Sequence, residues 1–137
     1  MSMFKIFDTA ASGMSAQSLR LNLVASNMAN ADAVSSSTDQ TYRARQPVFK
    51  ALLDQVNPDG AASGVKMVGV VESKAPLVQE YAPDHPLANE EGYIFRPNVN
   101  MVEEMANMMS ASRSYQSNVE VANAAKQLLM ATIQMGQ

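Results

Sequence analysis

Residues 97–137 carry the pattern that most limits what this chain can become. Met101, Met105, Met108, Ser112, Tyr115, Val119, Ala122, Lys126, Leu129 and Ile133 follow alternating steps of four and three, and eight of the ten are apolar or aromatic. A strict seven-residue repeat makes a helix with a narrow apolar seam, suited to lying along another helix. Pro97 favours an extended approach, and Asn98 or Asn100 can cap the first amides. Glu103 stands three residues after Asn100, as in a capping box. With Glu104 it also places negative charge at the positive end of the helix dipole. Neither Gly nor Pro interrupts the run before Gly136.

The other end of the chain repeats the device. Met3, Phe7, Ala10, Met14, Gln17, Leu21, Val24, Met28 and Ala31 alternate in the same way, and only Gln17 is polar. The charged residues of this segment are Lys5, Asp8 and Arg20, and its remaining faces are filled with Ser, Thr, Asn and Ala. A solvated helix normally carries a charged outer face. A polar but nearly uncharged one fits close packing among other helices, where small side chains let backbones approach. Gly13 costs about 1 kcal/mol of helix propensity relative to Ala, so this helix depends on its neighbours. The plain reading is a two-helix hairpin in an ordinary bundle.

The middle has a different character. All six prolines lie in residues 47–97, whereas ten of eleven methionines lie outside them. Asn27 to Asp32 read as a helix stop and residues 33–40, rich in serine, as a loop. Residues 41–49 read as an edge strand, because Pro47 excludes a central one. Asn57-Pro58-Asp59-Gly60 is a turn signal. Residues 65–72 and 77–81 are short β candidates, and Ser73-Lys74-Ala75-Pro76 fits a hairpin connection between them. Gly92-Tyr93-Ile94-Phe95 forms an extended lead into the last helix. The expected fold is therefore α+β and mainly α. An N-terminal helix (1–31) and a C-terminal helix (98–137) pack like a coiled coil, with a loop and small β module (32–97) between them.

At 1.5 Å per residue the two helices are roughly 40 to 50 Å long. A β module of this size spans about half that and cannot cover both seams. Two helices alone seldom bury enough apolar surface to be stable. The seams thus predict an assembly subunit, with Phe7, Met14, Leu21, Val24, Met28, Met101, Met105, Met108, Tyr115, Val119, Ala122, Leu129 and Ile133 at its interfaces.

Catalytic chemistry is not visible. The one histidine, His85, sits in a loop beside Asp84 without convergent partners. Glu103 and Glu104 are adjacent on a helix and point in different directions, so a cap and dipole role fits better than a carboxylate pair. Arg113 is expected to make an interhelical ion pair. Absence of cysteine rules out disulfides and Cys-based metal sites. With net charge −3 and scattered basic residues there is no nucleic-acid footprint, and no apolar run reaches the ~20 residues that span a bilayer. No enzyme activity, cofactor or metal is expected, and no conventional secretory signal is visible.

The order of short motifs is more specific. Leu21-Asn22-Leu23-Val24-Ala25-Ser26-Asn27-Met28-Ala29-Asn30 resembles the signature closing the first helix of bacterial flagellar rod and hook proteins. His85 to Tyr93, Pro97-Asn98-Val99-Asn100, Glu103-Glu104-Met105 and Ser112 to Asn118 continue the likeness. The residues matching family motifs are Asn27, Asn30, Pro97, Asn98, Glu104, Arg113 and Tyr115. Longer members usually carry Thr-x-Gly-Tyr soon after the first motif, and the serine-rich loop here favours the short, proximal-rod C type.

The resemblance implies a structural subunit of the basal-body rod in the periplasm, exported by the flagellar type III apparatus without a cleaved signal. Its terminal helices would pack into a tube around the export channel and transmit torque, with the β middle outside. Implied partners are further copies of itself, other rod proteins, basal-body base components and the export apparatus, with neither nucleic acid nor membrane insertion. The alternative is a cytosolic helical adaptor or export chaperone of a type III system.

Overall fold

A computed structural model describes residues 3–53 and 62–136. Helix α1 (Met3–Ala29) is followed by strands β1 (Arg45–Leu53), β2 (Ala62–Glu72), β3 (Val78–Tyr81) and β4 (Tyr93–Arg96), then helix α2 (Met101–Met135). The expected α+β class and the two long terminal helices are both observed. The predicted turn at Asn57 to Gly60 lies outside the described residues.

The start of α2 forms as its sequence dictates. Asn100 Oδ1 accepts from the amides of Val102 (3.1 Å) and Glu103 (3.3 Å), leaving Asn98 free for another task. At the far end the Gly136 amide returns to the carbonyls of Thr132 and Ile133.

The helices run antiparallel. Arg20 donates to Asn107 Oδ1 across the pair (3.0 Å), and Gly13 faces Asn118. A β-carbon on Gly13 would lie 2.8 Å from Asn118 Nδ2, so the missing side chain makes room for the Asn118 amide. Gly13→Leu is therefore expected to cost about 1–3 kcal/mol by forcing the pair apart, read from urea unfolding. Gly13→Ala should change stability little, because the Asn118 amide can rotate and alanine restores helix propensity. Continuing this register, Met3 falls level with about residue 128, so the last turns of the 35-residue α2 reach past the start of the 27-residue α1.

Strand pairing differs from the sequence reading. β2 and β3 do not form a hairpin. β2 pairs antiparallel with β1, from Arg45↔Glu72 to Leu53↔Ala62, and β3 pairs with β4, from Val78↔Arg96 to Tyr81↔Tyr93. Residues 73–77 instead pass from one two-stranded sheet to the other. The stretch read as an extended lead is thus β4, whose other edge bridges Ser35 through two backbone bonds of 3.0 and 2.9 Å. Pro47 does stand in an edge strand, opposite Val70.

The β1–β2 hairpin lies along α1. Ser12 Oγ accepts from the Val65 amide (3.1 Å), and a β-carbon on Gly64 would meet that oxygen at 2.7 Å. Helix α1 therefore contacts α2 and also the hairpin. Of its small polar residues, Ser12 meets the hairpin, whereas Thr9, Ser15, Ser18 and Asn22 are exposed in the single chain. Among the described residues, the buried apolar side chains include Ala10, Ala16, Val24, Ala44, Ile94, Pro97, Ala111 and Ala125. Alanines remove little apolar surface from water, so this core is thin for a chain of this length.

Candidate assembly interface

At the end of α1, one side chain holds three parts of the fold together. Asn27 is 1 % exposed. Its Nδ2 donates to the Arg45 carbonyl (2.9 Å), and its Oδ1 accepts from the Arg45 amide (2.9 Å) and from Tyr42 Oη (2.8 Å). The side-chain amide thus supplies both halves of a backbone pairing to the first residue of β1. Asn98 secures the adjacent residue from the other side. Its Oδ1 accepts from the Ala44 amide (2.8 Å), while Nδ2 donates to the carbonyls of Ala75 (2.9 Å) and Ser73 (3.3 Å). Asn30 donates to the Ser26 carbonyl (2.8 Å), finishing the last turn of α1.

Pro97 is buried, as is Glu104, so Asn27, Asn30, Pro97, Asn98 and Glu104 belong to one junction around the ends of the helices. Arg113 and Tyr115 do not join it and stand exposed farther along α2. No carboxylate among the described residues pairs with Arg113, contrary to the expected interhelical ion pair. His85 Nδ1 accepts from the Leu87 amide (3.1 Å), a turn contact within its loop.

Glu103 and Glu104 diverge as adjacent helical residues must: the first is exposed, the second 7 % exposed against α1. Burial pushes the Glu104 carboxyl above its ordinary pKa. A hydrogen bond from Asn27 opposes the rise, the charge of Glu103 adds to it, and Arg20 draws it back. A raised pKa means that protonation favours the folded chain. Its stabilising contribution is complete below the ordinary carboxylate value and is lost as pH rises through the raised one. Glu104→Gln should therefore raise the thermal midpoint of the isolated chain near neutral pH and flatten its decline with pH between those values. Calorimetry across that range checks both effects.

The helix–helix contact does not use the seam read from the sequence of α2. Glu104, Ala111, Asn118 and Ala125 line it, a seven-residue repeat one position out of phase with Met105, Ser112, Val119 and Lys126. Ala111 is 0 % exposed, whereas Met105 and Ile133 are each 52 % exposed. Met101 and Tyr115 are also exposed, and Met108, Val119, Ala122 and Leu129 are half-buried. On α1, Val24 is buried and Phe7, Met14, Leu21 and Met28 are half-buried. Small residues thus join the two helices of one chain, leaving much of the methionine-rich surface of α2 outward.

Further exposed apolar residues on α2 fall outside the predicted seam. Val102, Met109, Leu128, Met130 and Met135 are all exposed, the last at 81 %. Val102 and Met109 are seven apart, a spacing that marks a second stripe. No helix among the described residues is long and apolar enough to cross a membrane. None of their His, Asp and Glu side chains cluster in threes that could hold a metal ion.

Family comparisons match both ends of the chain. Residues 7–35 match the model described as flagella basal body rod protein. Residues 90–135 match that described as flagellar basal body rod FlgEFG protein C-terminal. Over full length the chain is 51 % identical to flagellar basal-body rod protein FlgC of Escherichia coli O6:H1, covering 100 % of each. It is 49 % identical to that of Salmonella typhimurium, again covering 100 % of each. The FlgC protein of Borreliella burgdorferi is 31 % identical, with 97 % of each chain covered.

Proposed function

The chain belongs to the FlgC group of flagellar basal-body rod proteins, and from that premise we propose how its surfaces build the rod. It is a structural subunit that assembles into the flagellar basal-body rod, not an enzyme, and proteins of this group work with other rod proteins and basal-body components in the periplasm. The outward stripe of α2 is the subunit's principal contact with neighbours, both further copies and other rod proteins. Packed side by side, such helix pairs make a tube around the export channel, and interlocked side chains resist twisting.

One observation carries this reading. The intrachain contact takes the small residues of α2 and leaves Met101, Met105, Tyr115 and Ile133 exposed. Exposed apolar residues repeated along one helix support an interaction surface there. The thin, alanine-rich core also suits a subunit that travels unfolded through the type III apparatus, without a cleaved signal, and gains order from its neighbours.

Deleting the chain should abolish flagella and swimming, and purified basal bodies should contain it when it is restored. Light scattering should show growth of particles when the protein meets its rod partners. A monomer indifferent to those partners would contradict the reading. Retention of the protein in the cytosol of flagellated cells would point to the adaptor or chaperone alternative.

A further inference from the structure

A cleft between α1, α2 and β1 contains the chemically incomplete part of the intrachain contact. Glu103, Glu104, Arg20, Gln46 and Pro47 are among the residues that line it. Glu104 is more than nine-tenths buried, and its Oε2 has no hydrogen-bond donor among the described residues. Neither Glu103 nor Glu104 takes part in an ion pair among the described residues. The nearby cations have other engagements. Arg20 donates to Asn107 (3.0 Å), and Arg45 pairs with Glu72 (3.4 Å) and lies over the Tyr42 ring (5.4 Å). The hydrogen bond from Asn27 and the charge of Arg20 offset the burial of Glu104 only in part, and an incompletely compensated buried carboxylate is costly, so a cation entering this cleft would be favourable.

The far side of α2 offers one. Four of the chain's five arginines are bound within it: Arg20 and Arg45 as above, Arg43 to the carbonyls of Ser73 and Ala75, and Arg96 to Asp32 and Glu80. Arg113 is the exception among the described residues. It is exposed and lies beside Ala106, Met109, Ser110 and Ser114, three of them small side chains. Nine residues separate Glu104 from Arg113, about two and a half helical turns, so the two project from opposite sides of α2.

Resting on the rod-subunit reading, we propose that Arg113 of one copy enters the Glu103–Glu104 cleft of the next copy. The planar guanidinium presents paired donors to carboxylates. Its charge also acts on Glu104 across the low-dielectric cleft without having to reach the buried Oε2. Donor and acceptor surfaces lie on opposite sides of one helix, so the contact is head-to-tail. Repeated, it continues from copy to copy instead of closing as a two-fold dimer.

The absence of native cysteine makes a cross-link clean. Gln46→Cys on the cleft rim combined with Arg113→Cys should give, after mild oxidation of purified basal bodies, a ladder of multimers of this chain on non-reducing gels. Each single variant should give none. Basal bodies that contain the doubly substituted chain but show no ladder would overturn the proposal and leave the rod reading intact, as would a cross-link only to a different protein. Basal bodies lacking even the unsubstituted chain would overturn the rod reading itself.

Should the cysteine pair prevent assembly, a second measurement decides. Arg113→Gln and Glu104→Gln should each reduce incorporation into basal bodies about tenfold, as expected for a lost charge-assisted contact. Together they should do no more harm than the worse single change, and Arg113→Lys should recover part of the loss. Independent, multiplying losses would overturn the pairing.

Discussion

Asn27→Ala should unfold the isolated chain more readily than any other single truncation in the junction, at a cost of about 3–5 kcal/mol. The substitution leaves the Arg45 amide, the Arg45 carbonyl and the Tyr42 hydroxyl without their partner in a site that is 1 % exposed at Asn27. Each stranded buried group costs about 1–3 kcal/mol, and a small domain has only about 5–15 kcal/mol in total. Asn27→Asp separates the contributions. It keeps acceptors for Tyr42 and the Arg45 amide but cannot donate to the Arg45 carbonyl, and it sets a second carboxylate against Glu104. Thermal melts followed by circular dichroism should rank both below the wild type. Hydrogen exchange at the Arg45 amide should quicken first, and unchanged exchange there would show that Asn27 does not hold the strand.

Met105→Asp combined with Ile133→Asp should have the opposite profile. Both positions are 52 % exposed in the single chain, so the stability of the monomer should move by no more than about 0.5 kcal/mol. In an assembled rod each aspartate would become an unpaired buried charge, costing about 3–5 kcal/mol per site and repeated in every subunit. The expected phenotype is normal expression, an unaltered melting curve and no motility. Normal swimming would show that these positions face water in the rod. The two experiments together separate residues that hold one molecule in shape from those that join molecules.

Much of this was legible in the residues, and the gaps have physical causes. A long helix at each end, a cap at one of the two candidate asparagines and the edge position of Pro47 follow from local chemistry and are observed, with the helices two to three residues shorter at their described ends than the sequence suggests. The phase of the helix contact was not legible. A seven-residue repeat of large apolar residues marks a sticky stripe, but it does not say whether that stripe meets the same chain. Here a row led by Ala111 and Ala125 wins the intrachain contact because small side chains allow the approach that Gly13 permits.

Strand partners were misread for a related reason. Ser73 to Pro76 look like a turn, yet the carbonyls of Ser73 and Ala75 are claimed by Asn98 and Arg43 from distant parts of the chain. Asn98 was one of two candidate caps; Asn100 took that role, and Asn98 serves the strand instead. The family likeness singled out Asn27, but spacing alone could not reveal that its amide stands in for a strand backbone. Nor could it distinguish Arg113, which has no ion-pair partner among the described residues, as appears only when the other four arginines are placed.

Two antiparallel helices of 27 and 35 residues do not finish flush. In the shaft proposed for such units, the protruding end of each is placed to overlap the tier beyond, as roof tiles overlap the course below. No cross-section then coincides with a clean break between tiers, and shear is shared along the length of the shaft instead of gathering at a seam.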